Sequence, residues 1–185
     1  MHALKDYIRV YDNALEDGFC ANLVAGFEQM TELQRRNGRG IRPGLDNSAW
    51  TEMNIGTQAD KAFLGFFLAQ VDTYLARYNS EVPLTIPVPL RPKTDRLTLK
   101  RYHPQVEGFE PHFDSIDDYS SRYMVFLWYL NTVEEGGETE FCDLGIKVAP
   151  KAGRLLMFPP YWMFQHAGRP PISGDKYILS TYLMF

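Results

Sequence analysis

RLLMFPPYWMFQHAGRPPISGDKYILSTYLMF, residues 154–185, carries three short β-rich runs, 154–158, 163–167 and 176–185. Pro159-Pro160 parts the first two, and Ile172-Ser173-Gly174 precedes the third. Runs of this length bounded by proline and glycine read as strands joined by turns. Similar runs lie upstream at 97–103, 122–130 and 145–149, with Gly136-Gly137, Asp143 and Lys151-Ala152-Gly153 as turn signals. Many short strands with such turns predict an antiparallel sandwich or jelly roll.

Before residue 95 the pattern differs. Residues 7–11 alternate and read as an opening strand, after which Asp12 or Asn13 is placed to cap a helix. Cys20, Leu23, Val24, Phe27 and Met30 recur at three- and four-residue intervals, predicting an amphipathic helix. Glycine, proline and polar residues over 35–47 predict a long mobile loop, and 49–55 a short strand. A second helix is expected over 60–79. Its stripe Phe63, Phe67, Val71, Tyr74, Tyr78, flanked by Leu64, Leu68 and Leu75, is a packing face. Four prolines within 80–93 mark an extended connector. The fold class expected is therefore mainly β with flanking helices (α+β), the helices supporting one outer sheet face.

The 185 residues fit a single domain, 1–185, with 1–94 as amino-terminal helical support and strands and 95–185 as the jelly-roll core. Hydrophobic residues make up 45% and charged residues 23%, as in ordinary globular proteins. A net charge of −4 argues against nucleic acid, and the cluster Arg35, Arg36, Arg39, Arg42 reads as a solvated loop. No apolar run is long enough to span a bilayer, and the first residues do not form a secretory signal. Cys20 and Cys142 do not make a disulfide framework, so a cytoplasmic location is expected.

Chemistry concentrates in four residues. In an extended strand, residues i and i+2 share a face, so His112 and Asp114 project together. His166 lies in another β-like run some fifty residues later, and Lys176 follows it by ten. Two imidazoles and one carboxylate suit iron(II) and leave coordination positions open. Either His-x-Asp or a lone histidine is commonplace; the ordered set carries the signal. His2 and His103 lack such company and read as structural or surface residues. Lys176 is either a solvated strand end or a buried cation for a carboxylate. Tyr102, at the end of the strand before His112, is either a donor to that same carboxylate or a packing residue.

The chain resembles the prolyl 4-hydroxylase-type iron(II)/2-oxoglutarate-dependent oxygenases. The resemblance rests on Arg101-Tyr102, Pro111-His112-Phe113-Asp114, Arg122 and Tyr129-Leu130-Asn131. It continues through 136–141, 150–158, His166-Ala167-Gly168 and Gly174-Asp175-Lys176-Tyr177, and more loosely through 10–13 and Phe19-Cys20. It implies a double-stranded β-helix (jelly-roll) core with amino-terminal helices packed on the major sheet. It implies iron held by His112, Asp114 and His166, with the distal carboxylate of 2-oxoglutarate on Lys176 and Tyr102. The expected reaction is dioxygenase chemistry with O2: hydroxylation of a C–H bond, peptidyl proline among the substrates, with release of succinate and CO2. Ascorbate is a further candidate cofactor. Related halogenases lack the carboxylate that Asp114 supplies, so its presence favours hydroxylation.

Two positions depart from the family pattern: Val125, where many relatives carry threonine, and Tyr182, where prolyl hydroxylases often have tryptophan. Neither is expected to touch the iron ligands, but both bear on the 2-oxoglutarate pocket and on transfer of the prolyl substrate. Arg122 matches a family arginine near the substrate channel and reads equally as a surface charge at a strand start, and 35–47 and 116–121 are candidate lids. The expected partner is a peptide or small-molecule substrate, with no nucleic acid and no membrane, the protein acting as a monomer or weak dimer. Two rival readings stand beside the oxygenase: a zinc or manganese cupin-like enzyme that is not oxidative, and an inactive binding homologue. Lys176 argues against the first, since such enzymes need no anchor for a co-substrate; the intact triad and anchor argue against the second.

Overall fold

A computed structural model describes residues 3–82, 84–89 and 93–185. In chain order the elements are β1 (Arg9–Tyr11), α1 (Asp17–Gln29), β2 (Arg35–Gly38), β3 (Ala49–Asn54), α2 (Lys61–Glu81), β4 (Lys93–Thr94) and β5 (Thr98–Tyr102). There follow β6 (Phe109–His112), β7 (Arg122–Tyr129), β8 (Thr139–Phe141), β9 (Ile146–Val148), β10 (Leu155–Phe158), β11 (His166–Gly168) and β12 (Lys176–Met184). The larger sheet runs β1-β10-β7-β12-β5-β3-β2, with β4 also on β12; the smaller runs β6-β11-β8-β9. Every pairing is antiparallel. The strands expected from punctuation therefore close into two facing sheets.

The nearly unbroken apolar run of β7 is explained by burial on both faces. Met124, Phe126 and Trp128 belong to the cluster that the helices cover, with Phe27, Phe67, Val71 and Leu75. Val125, Leu127 and Tyr129 belong to the cluster between the sheets, with Trp50, Phe141, Phe158 and Ile178. Phe67 meets Trp128 edge-on, ring centroids 5.5 Å apart. The helix-2 stripe thus packs as its periodicity predicts, and the Asp60 carboxylate caps the helix by accepting from the Phe63 amide at 2.8 Å. Leu75 is fully buried beneath that helix. Leu75→Ala is expected to destabilise the fold by about 2–5 kcal/mol, read from the denaturant midpoint.

Three expectations are corrected. Residues 35–38 are not loop: they form β2 against β3, held in part by Asn37 Nδ2 donating to Glu52 at 2.9 Å. A polar edge strand ending in a glycine has no apolar alternation by which to read it. Helix 1 begins at Asp17 and neither Asp12 nor Asn13 caps it; the Asp12 carboxylate instead takes Arg154 Nε at 2.7 Å and Lys151 Nζ at 3.1 Å. The run 163–167 is strand only from His166, because Trp162–Phe164 forms a 3-10 turn. Of the expected connector 80–93, residues 83 and 90–92 lie outside the described residues, as does His2. Among the described residues no helix is long and apolar enough to cross a membrane. Cys20 and Cys142 are both free thiols.

Candidate metal centre

Strands β6 and β11 pair so that His112 stands directly opposite His166. Asp114 follows just past the end of β6, where its amide and that of Ser115 both donate to the Pro160 carbonyl, at 3.0 and 3.1 Å. One ligand-capable atom from each of the three residues lies within 4.8 Å of the other two. His112 Nε2 is 3.6 Å from one Asp114 oxygen and His166 Nε2 is 3.4 Å from the other.

The second nitrogen of each ring decides what these atoms can do. His112 Nδ1 lies 2.7 Å from the Glu110 carbonyl oxygen, and His166 Nδ1 lies 3.1 Å from that of Phe164. A carbonyl oxygen only accepts, so both Nδ1 atoms carry the proton and donate. With the proton on Nδ1, the neutral form of such a ring has its lone pair on Nε2, the tautomer a metal ligand needs. Burial pushes His166 down to about 4, and the neighbouring His112 acts in the same direction, so His166 is neutral at ordinary pH. Burial works to raise the Asp114 pKa, but the charge that His166 carries when protonated, together with the His112 hydrogen bond, outweighs it and holds the carboxyl below the usual range. Three acceptors therefore face one another, an arrangement a cation between them would complete. Two imidazoles and one carboxylate match the donor set of a facial non-haem iron(II) site. Aromatic packing fixes the rings: Phe109 stacks on His112 at 3.7 Å, and Phe158 meets His166 edge-on at 4.7 Å.

Tyr182 overturns one expectation from the sequence. Its hydroxyl donates to Asp114 Oδ1 at 3.1 Å, so this departure does touch the proposed ligand set. Burial raises its pKa well above the ordinary value, so it stays a donor. Tyr182→Phe is expected to lower metal affinity about 10- to 100-fold without unfolding the chain, measured by metal titration. Val125, the other departure, lines the inner pocket beside the triad.

That inner pocket follows β5 and β12. Their register sets Lys176 opposite Tyr102, Ile178 opposite Lys100 and Ser180 opposite Thr98, so all six side chains share the face turned between the sheets. Lys176 is 2% exposed, and its ammonium makes no hydrogen bond or ion pair among the described residues. It lies 5.3 Å from the Tyr102 ring centroid and 5.7 Å from that of Tyr129. Burial pushes its pKa down to about 7, although Glu138 pulls the other way. Burial also raises the phenols of Tyr102 and Tyr129, keeping both as O–H donors. Gly137 (φ +77°) packs against the lysine stem, where a Cβ would sit 3.4 Å from Lys176 Cδ. The pocket thus has an unpaired cation in one wall and the acceptor triad in another, which fits a dicarboxylate whose other end chelates a metal.

A wider cleft of about 420 Å³ opens outside the triad, lined by Arg42, Trp50, Lys100, Tyr119, Arg122 and Tyr182 among others. Arg122 does reach this cleft, but its guanidinium is bound to Asp95 and sandwiched between Tyr119 and Tyr182, 4.0 and 3.7 Å from their centroids. Both expected lid segments contribute walls, Arg42, Pro43 and Leu45 from one and Ile116 and Tyr119 from the other. Sequence reasoning passed over Lys100 and Trp50. The only available signal for Lys100 was its place two residues before Tyr102 on one strand face.

Residues 97–184 match the family model described as the 2OG-Fe(II) oxygenase superfamily. This segment is prolyl 4-hydroxylase-like. A probable prolyl 4-hydroxylase 11 of Arabidopsis thaliana is 37% identical over 87 residues, covering 42% of this chain and 29% of that protein. The chain spans less than half the length of the curated relatives it matches. In fold, it is similar to the viral collagen prolyl hydroxylase of Paramecium Bursaria Chlorella virus-1, solved as a 2OG complex. The TM-score is 0.66 at 20% identity, covering 96% of this chain and 95% of the other. A prolyl hydroxylase from Trichoplax adhaerens, solved with a hypoxia inducible factor peptide fragment, gives a TM-score of 0.75 at 16% identity over 97% and 84%. The prolyl 4-hydroxylase-like segment takes in β5 to β12, and so contains the triad, Tyr102, Lys176 and Tyr182.

Proposed function

We propose that this chain is an iron(II)- and 2-oxoglutarate-dependent dioxygenase that hydroxylates a C–H bond, with peptidyl proline as the first substrate to try. The observation that carries the reading is the pairing of two elements in one pocket. Two imidazole Nε2 atoms and a carboxylate converge with no donor between them, and a buried ammonium without a partner shares their cavity. The proposal assigns His112, Asp114 and His166 to the metal, Lys176 and Tyr102 to the distal carboxylate of 2-oxoglutarate, and residues 1–185 to one catalytic unit.

When bound, iron(II) and 2-oxoglutarate supply oxidative decarboxylation with O2, coupled to hydroxylation and release of succinate and CO2. The protein supplies position and a dry wall. Carbonyls of Glu110 and Phe164 hold the imidazole tautomers, and Tyr182 orients Asp114. Lys176 neutralises the far carboxylate, with the Tyr102 phenol beside it as a donor, while Tyr129 gives its hydroxyl proton to Thr139 Oγ1. Val125, Leu127 and Ile178 exclude water from the same space. Arg122, held by Asp95 at the outer cleft, is proposed to shape the substrate entrance.

The test is incubation with iron(II), 2-oxoglutarate, O2 and a panel of proline-containing peptides, measuring succinate and a product heavier by one oxygen. Stoichiometric formation of both is expected. Tight zinc binding without any succinate would overturn the reading in favour of a non-oxidative metalloenzyme. A pH profile follows from Lys176. Its cationic form holds the carboxylate and prevails below about pH 7. The KM for 2-oxoglutarate is therefore expected to be lowest below that pH and to rise by up to about tenfold per unit above it.

A further inference from the structure

Lys100 is a second cation facing the site, and nothing so far assigns it a task. Along β5 the same-face residues are graded: Thr98 lines only the outer cleft, Tyr102 only the inner pocket, and Lys100 lines both. Lys100 therefore stands at the throat, level with His112 and Asp114, which also line both spaces. Lys176 lies deeper, one same-face step along β12 from Ile178, the cross-strand partner of Lys100, or about 6.6 Å.

The ammonium of Lys100 makes no hydrogen bond or ion pair among the described residues. Its neighbours are ring faces, Trp50 at 5.3 Å and Phe109 at 5.9 Å. Glu52 stands directly across from it on β3, yet that carboxylate is taken by Asn37 Nδ2 and by the Trp50 indole N–H. The rest of the cleft shows the same imbalance. Its carboxylates are Glu52, Asp95 and Asp114; Asp95 is bound to Arg122, and Asp114 faces the two imidazoles. Arg42 and Arg96, exposed at the rim, make no side-chain ion pair among the described residues. In a chain of net charge −4, the entrance to the site is a cationic funnel with its innermost charge beside the triad.

We propose that Lys100 anchors a carboxylate of the molecule to be hydroxylated, so that this cleft selects substrates with an acidic group a few bonds from the reacting C–H. The proposal rests on the oxygenase reading and refines it. A lysine held over aromatic faces has lost part of its hydration, and a carboxylate arriving between Lys100 and the rim arginines supplies the missing partner. Burial lowers the basicity of this lysine while Glu52 and Asp114 act against that, and a bound carboxylate would act in the same sense as those two. The shared chemistry is a carboxylate, which an acidic side chain next to the target residue or the α-carboxylate of a small acid can equally provide.

The experiment compares fluorescent proline peptides flanked by glutamate with the same peptides flanked by glutamine. Free L-proline and its methyl ester form a second pair. Binding to the manganese(II)- and 2-oxoglutarate-loaded protein is read by anisotropy for the peptides and by competition for the small molecules. Native protein is expected to prefer the acidic member of at least one pair by about 30-fold or more, and the pair that responds identifies the source of the carboxylate. Lys100→Met is expected to erase that preference and Lys100→Arg to restore most of it. Calorimetry follows 2-oxoglutarate affinity separately. Equal binding of acidic and neutral partners by native protein would overturn the proposal. So would a Lys100→Met protein that keeps the preference, or one whose main loss is in 2-oxoglutarate affinity. Absence of succinate formation would count against the oxygenase reading alone, since partner binding is measured without turnover.

Discussion

His112→Ala is expected to abolish iron-dependent succinate formation, and with it the thermal stabilisation that metal confers on the native protein. The ring contributes one of three converging lone pairs, and its Nδ1–H is already committed to the Glu110 carbonyl. Removing an outer partner of a ligand costs about 10- to 100-fold in affinity, and removing the ligand itself costs more. Metal at a hundred times its Kd stabilises a folded protein by about 2.7 kcal/mol, and that shift should vanish in the variant. His112 is partly accessible at the end of β6, whereas His166 is buried. The variant should therefore fold, and its melting temperature without metal should stay near the native value. A variant that still melts higher with added metal would remove His112 from the ligand set.

Lys176→Ala is expected to raise the 2-oxoglutarate requirement by about 10² to 10³-fold while leaving metal binding intact. Truncating one partner of a buried charge pair costs about 2–5 kcal/mol, and each 1.4 kcal/mol is tenfold in affinity. The lysine is 2% exposed and without an ionic partner of its own, so no neighbouring carboxylate is freed by the change. Removing a buried unpaired cation relieves a desolvation cost that offsets part of the packing lost with the lysine stem, so the variant should still fold in the absence of ligand. The KM for 2-oxoglutarate and the metal affinity, measured separately, check it. An unchanged KM would show that the distal carboxylate lies elsewhere, with Lys100 as the first alternative.

Much of the architecture was legible because it repeats locally. The apolar run of β7, the heptad-like stripe of α2 and the proline and glycine turns are each visible within a window of about ten residues. β2 was not, because an edge strand of arginine, asparagine and glycine has no buried face to mark it. The expected cap at Asp12 or Asn13 failed for a related reason: Arg154 and Lys151, about 140 positions away in sequence, claimed the Asp12 carboxylate.

The sequence by itself determined the chemical inventory of this protein: two histidines and an aspartate in order, a lysine at a set interval, and strands short enough to bring them together. What each residue meets was decided only in the tertiary structure. Tyr182 reaches Asp114 across 68 positions, Arg122 is captured by Asp95, and Lys100 and Lys176 stand one step apart along one wall. Those relations follow from the register of β12 against β5 and β7, and a slip of one residue would turn every one of these side chains to the opposite face. Register between strands distant in sequence is set by burial on both faces of the sheet at once. No local stretch of the chain contains that information.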